Sequence, residues 1–209
     1  GLGGAATLQG DLQESASDYA LDFTATGPGG TEASGTLTAS KTADGGIGTL
    51  SFAGKAAATA LSAYAPLAGR PLRGGASFDG AASYTLADGA LSARGDLRTS
   101  DLALGIPTAD SLLGGTGIAT VSMTRDGSGK ITVERLDLST AELTATLSGS
   151  MGQTGDSAMR YDIALRDLGR IVEQLPGRAT ATGTLSATGT GPWQVNTSLT
   201  APGGTEAQV

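Results

Sequence analysis

Apolar and polar residues alternate along most of this chain. Leu8, Gly10 and Leu12 fall on one side of an extended backbone, and Tyr19, Leu21, Phe23 and Ala25 repeat the pattern. The rhythm returns at Ala33, Gly35, Leu37 and Ala39, and again at Leu72, Gly74, Ala76 and Phe78. It continues through Leu91, Ala93, Gly95 and Leu97, then Leu143, Ala145, Leu147 and Gly149. Near the end come Tyr161, Ile163 and Leu165, then Ala181, Gly183, Leu185 and Ala187, then Trp193, Val195, Thr197 and Leu199. Thr, Ser, Asp and Arg fill the places between. Strands with one apolar and one wet face read this way.

Turn chemistry separates the runs. Asp-Gly occurs at Asp44-Gly45, Asp79-Gly80, Asp88-Gly89 and Asp126-Gly127, and both residues tolerate the positive φ that tight hairpins need. Gly-Pro-Gly-Gly at 27–30 and Gly-Pro at 191–192 are further stops. The pattern predicts on the order of a dozen strands in sequential antiparallel hairpins. Leu61–Leu67, Pro107–Leu113 and Leu168–Leu175 break the alternation, and each predicts one or two helical turns. Each is followed by glycine and a new strand. This makes one continuous β domain with a degenerate repeat of roughly 45–60 residues. The units run over 1–68, 69–114, 115–176 and 177–209.

The apolar positions are small. Many are Ala or Gly, and aromatic residues make up 4% of the chain. A closed sandwich fills a layer about 10 Å deep with interlocking side chains, which this sequence supplies thinly. Either the sheets approach closely over glycine, or the apolar face lines a trough that something else fills. A dozen strands spaced by about 4.8 Å would make such a trough roughly 55–60 Å long. Its two end strands would carry free edges, to be covered by flanking strands of a longer chain or to pair edge to edge.

Composition narrows the chemistry. The chain has neither Cys nor His, which removes disulfides, thiolate and imidazole catalysis and the usual zinc sets. A net charge of −7 disfavours nucleic acid as a partner. The chain has no signal peptide and begins with Gly1 rather than Met, so it reads as a piece of a longer protein. Gly45-Gly46-Ile47-Gly48-Thr49 and Gly114-Gly115-Thr116-Gly117-Ile118 open like calcium β-roll repeats, but Leu50 and Ala119 stand where the ligand Asp belongs. Asp126-Gly127-Ser128-Gly129 lacks the later ligands of a calcium loop and reads as a hairpin turn. Arg94-Gly95-Asp96 and the sequon Asn196-Thr197-Ser198 both fall inside expected strands and read as accidental. Trp193, the single tryptophan, is expected to pack inward. The expectation is a protein with no catalytic residue, metal or cofactor.

The stretch Leu61-Ser-Ala-Tyr-Ala-Pro-Leu-Ala-Gly-Arg-Pro-Leu-Arg-Gly74, followed by a strand, resembles a recurrent phrase of the TamB (translocation and assembly module B) family, within the AsmA-like group. Ala109-Asp-Ser-Leu-Leu-Gly-Gly115, residues 177–189 and the Leu-x-Ala-x-Gly rhythm are similar in style. The Ala- and Gly-rich usage suggests a high-GC proteobacterium. The resemblance implies a periplasmic protein anchored in the Gram-negative inner membrane, reaching a TamA-like outer-membrane barrel. It implies strands curled into a β-taco with an apolar groove that conducts phospholipid and supports outer-membrane assembly and protein secretion. On this reading Leu8, Leu37, Phe78, Leu97, Leu147, Ile163, Leu185 and Val195 line the groove and touch acyl chains. Two alternatives are a holder of outer-membrane or autotransporter clients by strand augmentation, and a β-helical surface passenger or adhesin.

Overall fold

The computed structural model describes residues 5–152, 156–189, 191–203 and 205–208. Thirteen strands form one antiparallel sheet in which every strand pairs with its neighbour in sequence. They are β1 (Thr7–Glu14), β2 (Asp18–Gly27), β3 (Thr31–Lys41), β4 (Ile47–Ala58), β5 (Arg73–Thr85), β6 (Leu91–Ala103) and β7 (Thr116–Arg125). Then follow β8 (Ile131–Ser139), β9 (Leu143–Met151), β10 (Ser157–Leu165), β11 (Ala179–Ala187), β12 (Gln194–Ala201) and β13 (Thr205–Gln208). The sheet is not closed into a barrel: β1 and β13 each have one neighbour. The all-β antiparallel reading therefore holds. A parallel coil of the β-helix kind is not what this order builds.

The connections differ between the two ends of the strands. At one margin lie the turns at Asp44-Gly45, Asp88-Gly89 and Asp126-Gly127. At the other margin lie the helical turns: a 3-10 turn at Pro28–Gly30, another at Leu61–Tyr64 running into α1 (Ala65–Ala68), α2 (Pro107–Leu113), and a 3-10 turn at Leu168–Arg170. The third expected helical segment is shorter than the sequence suggested, because its helix ends at Arg170.

Three local expectations are corrected. Asp79-Gly80 is not a turn; it sits in the middle of β5, where apolar-face alternation on both sides keeps the chain extended. Leu72 and Gly74 do not continue the β5 face. The register shifts between Arg73 and Gly75, and Gly74 takes φ 88°, which a side chain would resist. Trp193 precedes β12 and stays about half exposed, at 48%.

Little of this sheet is core. Among the described apolar residues only Ala187 is buried, at 8% exposed. Backbone ladders and cross-strand side-chain contacts hold the sheet together, since among the described residues no second layer packs upon it.

Candidate functional site

The pairing registers bring the apolar residues of successive strands onto one face, in three rows that cross the sheet. The middle row runs Gly10, Phe23, Gly35, Gly54, Gly80, Gly95, Val121, Leu136, Leu147, Tyr161, Gly183, Thr197. On one side of it runs Leu12, Leu21, Leu37, Phe52, Ala82, Ala93, Met123, Val133, Gly149, Met159, Leu185, Val195. On the other side Leu8, Phe78, Leu97, Leu138, Ile163 and Leu199 alternate mainly with alanines. The register is kept through the β7–β8 bulge, where one extra residue restores the apolar set to the same side.

All the residues expected to share a lining do share this face. Leu8, Phe78, Leu97 and Ile163 lie in one row, Leu37, Leu185 and Val195 in another, and Leu147 between them. Sequence reasoning did not single out Leu12, Phe52, Val121, Met123, Leu136, Met159 or Tyr161, which belong to the same surface. The alternation marks several of them. The bulge in β8 hides Leu136 and Leu138 from a strict period of two.

Glycine in the middle row makes room for aromatic rings from the flanking rows. A side chain begun at Gly54 would meet the Phe52 ring at 2.9 Å, and one begun at Gly35 would meet the same ring at 3.2 Å. Phe78 lies over Gly80 and Gly95 in the same way. Phe23 and Phe52 stack with centroids 6.3 Å apart. The rings thus lie down along the sheet instead of standing off it. At the helical margin Tyr64 folds over this face. Its hydroxyl donates to the Pro28 carbonyl at 3.1 Å and shares a 2.5 Å hydrogen bond with Thr31. With Ala56, Ala76, Phe78 and Leu97 it borders a shallow depression of about 220 Å³.

The face is open. Leu8 is 73% exposed, Leu12 69%, Leu37 45% and Val195 53%. The chain exposes 12506 Å² in all. A compact monomer of this mass exposes about 8,800 Å², so the excess is roughly 40%.

The opposite face is polar and carries charges. Asp11 lies directly across from Asp22, and Asp79 directly across from Asp96. Thr120 donates to Asp96 at 2.6 Å. A hollow of about 660 Å³ takes its charged lining from this side, from Glu32, Lys55, Asp79, Asp96 and Arg98. The groups with displaced pKa lie at turns and margins. Hydrogen bonding from Lys41 holds Glu14 below its ordinary value, at 2.7 Å. The Ser128 hydroxyl does the same for Asp126. The amides of Gly177 and then Gly169 lower Asp167. Among the described residues no group of acidic side chains is placed to hold a metal ion, and no helix is long and apolar enough to cross a membrane.

The helical margin is braced from one connection to the next. The Ala60 amide donates to the Gly29 carbonyl at 2.9 Å. The Thr140 hydroxyl donates to the Leu112 carbonyl at 2.7 Å, and Arg170 pairs with Glu142 at 2.9 Å. Leu67, Ile106, Ile171, Val172 and Leu175 remain exposed along it. No protein-family model, curated protein or solved structure matches this chain.

Proposed function

We propose that this sheet is a lipid-carrying segment, and that phospholipid acyl chains lie along its apolar face while their head groups stay in water. The observation that carries the proposal is the uncovered face itself: three in-register apolar rows with no protein layer over them among the described residues. Burying apolar surface is worth about 25 cal/mol per Å², so covering the exposed leucines of this face favours binding. Acyl chains suit it because the rows are continuous, the rings lie flat, and the face offers few hydrogen-bonding groups. The resemblance to the TamB family supports the same occupant. With it come the curled groove, the periplasmic setting, the inner-membrane anchor and the TamA-like barrel, all as parts of the proposal. In this role the chain binds and guides lipid, and no bond is made or broken.

Native mass spectrometry of the folded chain after incubation with phosphatidylethanolamine–phosphatidylglycerol vesicles tests this. Lipid adducts are expected, and Leu37→Asp and Leu147→Asp should lose them. Leu37 is 45% exposed, so an aspartate there need not be buried and the fold should survive. Ser34→Asp, on the polar face opposite Lys55, should keep the adducts. An adduct-free chain, or adducts indifferent to both leucine changes, would refute the proposal. A second reading, a holder of outer-membrane clients, draws on the open β1 edge. It expects a proline in β1 to weaken client binding more than a charge on the apolar face does.

A further inference from the structure

One stretch of the chain has a charge opposite to the whole. Residues 45–78 contain no Asp or Glu and carry Lys55, Arg70 and Arg73, in a chain of net charge −7. Arg70 lies on the connection between β4 and β5, and Arg73 opens β5. Leu67 on the same connection is 70% exposed. Pro66, Ala68, Arg70, Pro71 and Arg73 are exposed with it. The connection is anchored. Tyr64 is fixed on Pro28 and Thr31, the Ala60 amide donates to the Gly29 carbonyl, and the Thr59 hydroxyl donates to the same carbonyl at 3.1 Å. Gly69, at φ 64°, ends α1 and turns the chain back toward β5. Among the described residues neither arginine forms an ion pair. A braced turn thus displays a leucine beside two free guanidinium groups.

We propose that this turn seats the helical margin on an anionic lipid surface, with Leu67 entering the head-group boundary and Arg70 and Arg73 meeting lipid phosphates. Charge complementarity selects the partner. The leucine supplies apolar burial, and each arginine near an anionic surface adds attraction. A guanidinium also matches phosphate oxygens with two parallel hydrogen bonds. The register sets Asp101 opposite the bulge at Gly74, which leaves two cations to one carboxylate at this corner. Acidic groups farther than about 8 Å are screened at physiological salt. The choice of a lipid surface over an acidic protein rests on the lipid-carrying reading of the apolar face. Tyr64 borders the depression beside Phe78 and Leu97, so contact here brings a bilayer to the end of the apolar rows.

The chain contains no cysteine, so one introduced thiol can carry a polarity-sensitive fluorophore. On Ala68→Cys its emission should move to shorter wavelength with vesicles containing phosphatidylglycerol, and not with phosphatidylcholine vesicles. On Ala43→Cys, in the turn at the opposite margin, it should stay fixed. Arg70→Gln and Arg73→Gln together should weaken vesicle binding about 25-fold, roughly fivefold for each arginine. Both arginines are exposed, so the fold should survive. Added salt should weaken binding as well. A shift equal on the two kinds of vesicle, or indifferent to the arginines, would overturn the proposal. So would the absence of a shift with the anionic vesicles; acyl-chain adducts persisting in native mass spectrometry would then leave the lipid-carrying reading standing. An arginine-dependent shift without adducts would keep the contact and remove that reading. A response to polyglutamate but not to vesicles would assign the turn to an acidic protein and overturn the lipid surface.

Discussion

Tyr161 on β10 reaches across Gly183 on β11 to share a hydrogen bond with Thr197 on β12. The three residues occupy one row, and the hydroxyl passes where a side chain on β11 would stand. A side chain begun at Gly183 would sit 2.7 Å from the Tyr161 hydroxyl and crowd the Asn196 carbonyl. Thr197 is among the few residues this sheet buries, at 8% exposed. The contact ties together strands that are not neighbours.

Gly183→Ala should therefore destabilise the chain by about 1–3 kcal/mol, through overpacking and displacement of the ring. Thr197→Val should cost about 1 kcal/mol, the net worth of one hydrogen bond plus the unpaired hydroxyl it leaves. Urea denaturation of the variants and of the double variant checks both. The two losses should not add, since they break one arrangement.

Asp22→Asn should stabilise the sheet by about 0.2–1 kcal/mol, by relieving the like-charge pairing with Asp11. The amide oxygen remains to accept from Thr36, which donates to Asp22 in the native chain. Thermal unfolding at low ionic strength should show the gain, and added salt should shrink it.

Asp167 closes the loop between β10 and β11. Its Oδ1 accepts from the Gly177 amide at 2.8 Å and the Gly169 amide at 3.0 Å, which lower its pKa. A depressed folded value means that the contribution to stability is complete above the unfolded value. It is lost as pH falls through the folded one. The amide resonances of Gly177 and Gly169 should thus titrate together, with a midpoint below the ordinary aspartate value of about 3.9. In Asp167→Asn both should be flat across that range.

Mixed aromatic and glycine positions explain a further expectation. Phe52→Ala should cost stability well below the about 3–5 kcal/mol of a fully buried ring, because the face around it is open. Urea denaturation measures the loss. A value in the full range would mean that the ring is buried by more than Phe23 and the neighbouring glycines.

The strands and the shared face were legible because alternation is local and the connections are short. Leu8, Gly10 and Leu12 meet Ala25, Phe23 and Leu21 with no choice left once the β1–β2 turn is set. What local pattern misjudged was the meaning of single residues. Asp79-Gly80 has turn chemistry, yet Phe78 lies over Gly80 and Gly95 and that packing favours an extended chain. Gly74 reads as another small face residue, but only the paired strand reveals the bulge. The brace of Thr140 on Leu112 and Arg170 on Glu142 joins segments that no sequence period connects.

Among the described residues every helical turn lies at one margin of the sheet and the Asp-Gly hairpins lie at the other. A pair of strands is therefore the smallest piece that can be added or removed without exchanging the margins. One strand more or fewer would reverse the chain's direction and set every later helical turn on the wrong side. A sheet built this way can change its length in even steps while its faces and margins stay in phase, so its length is set by counting hairpins.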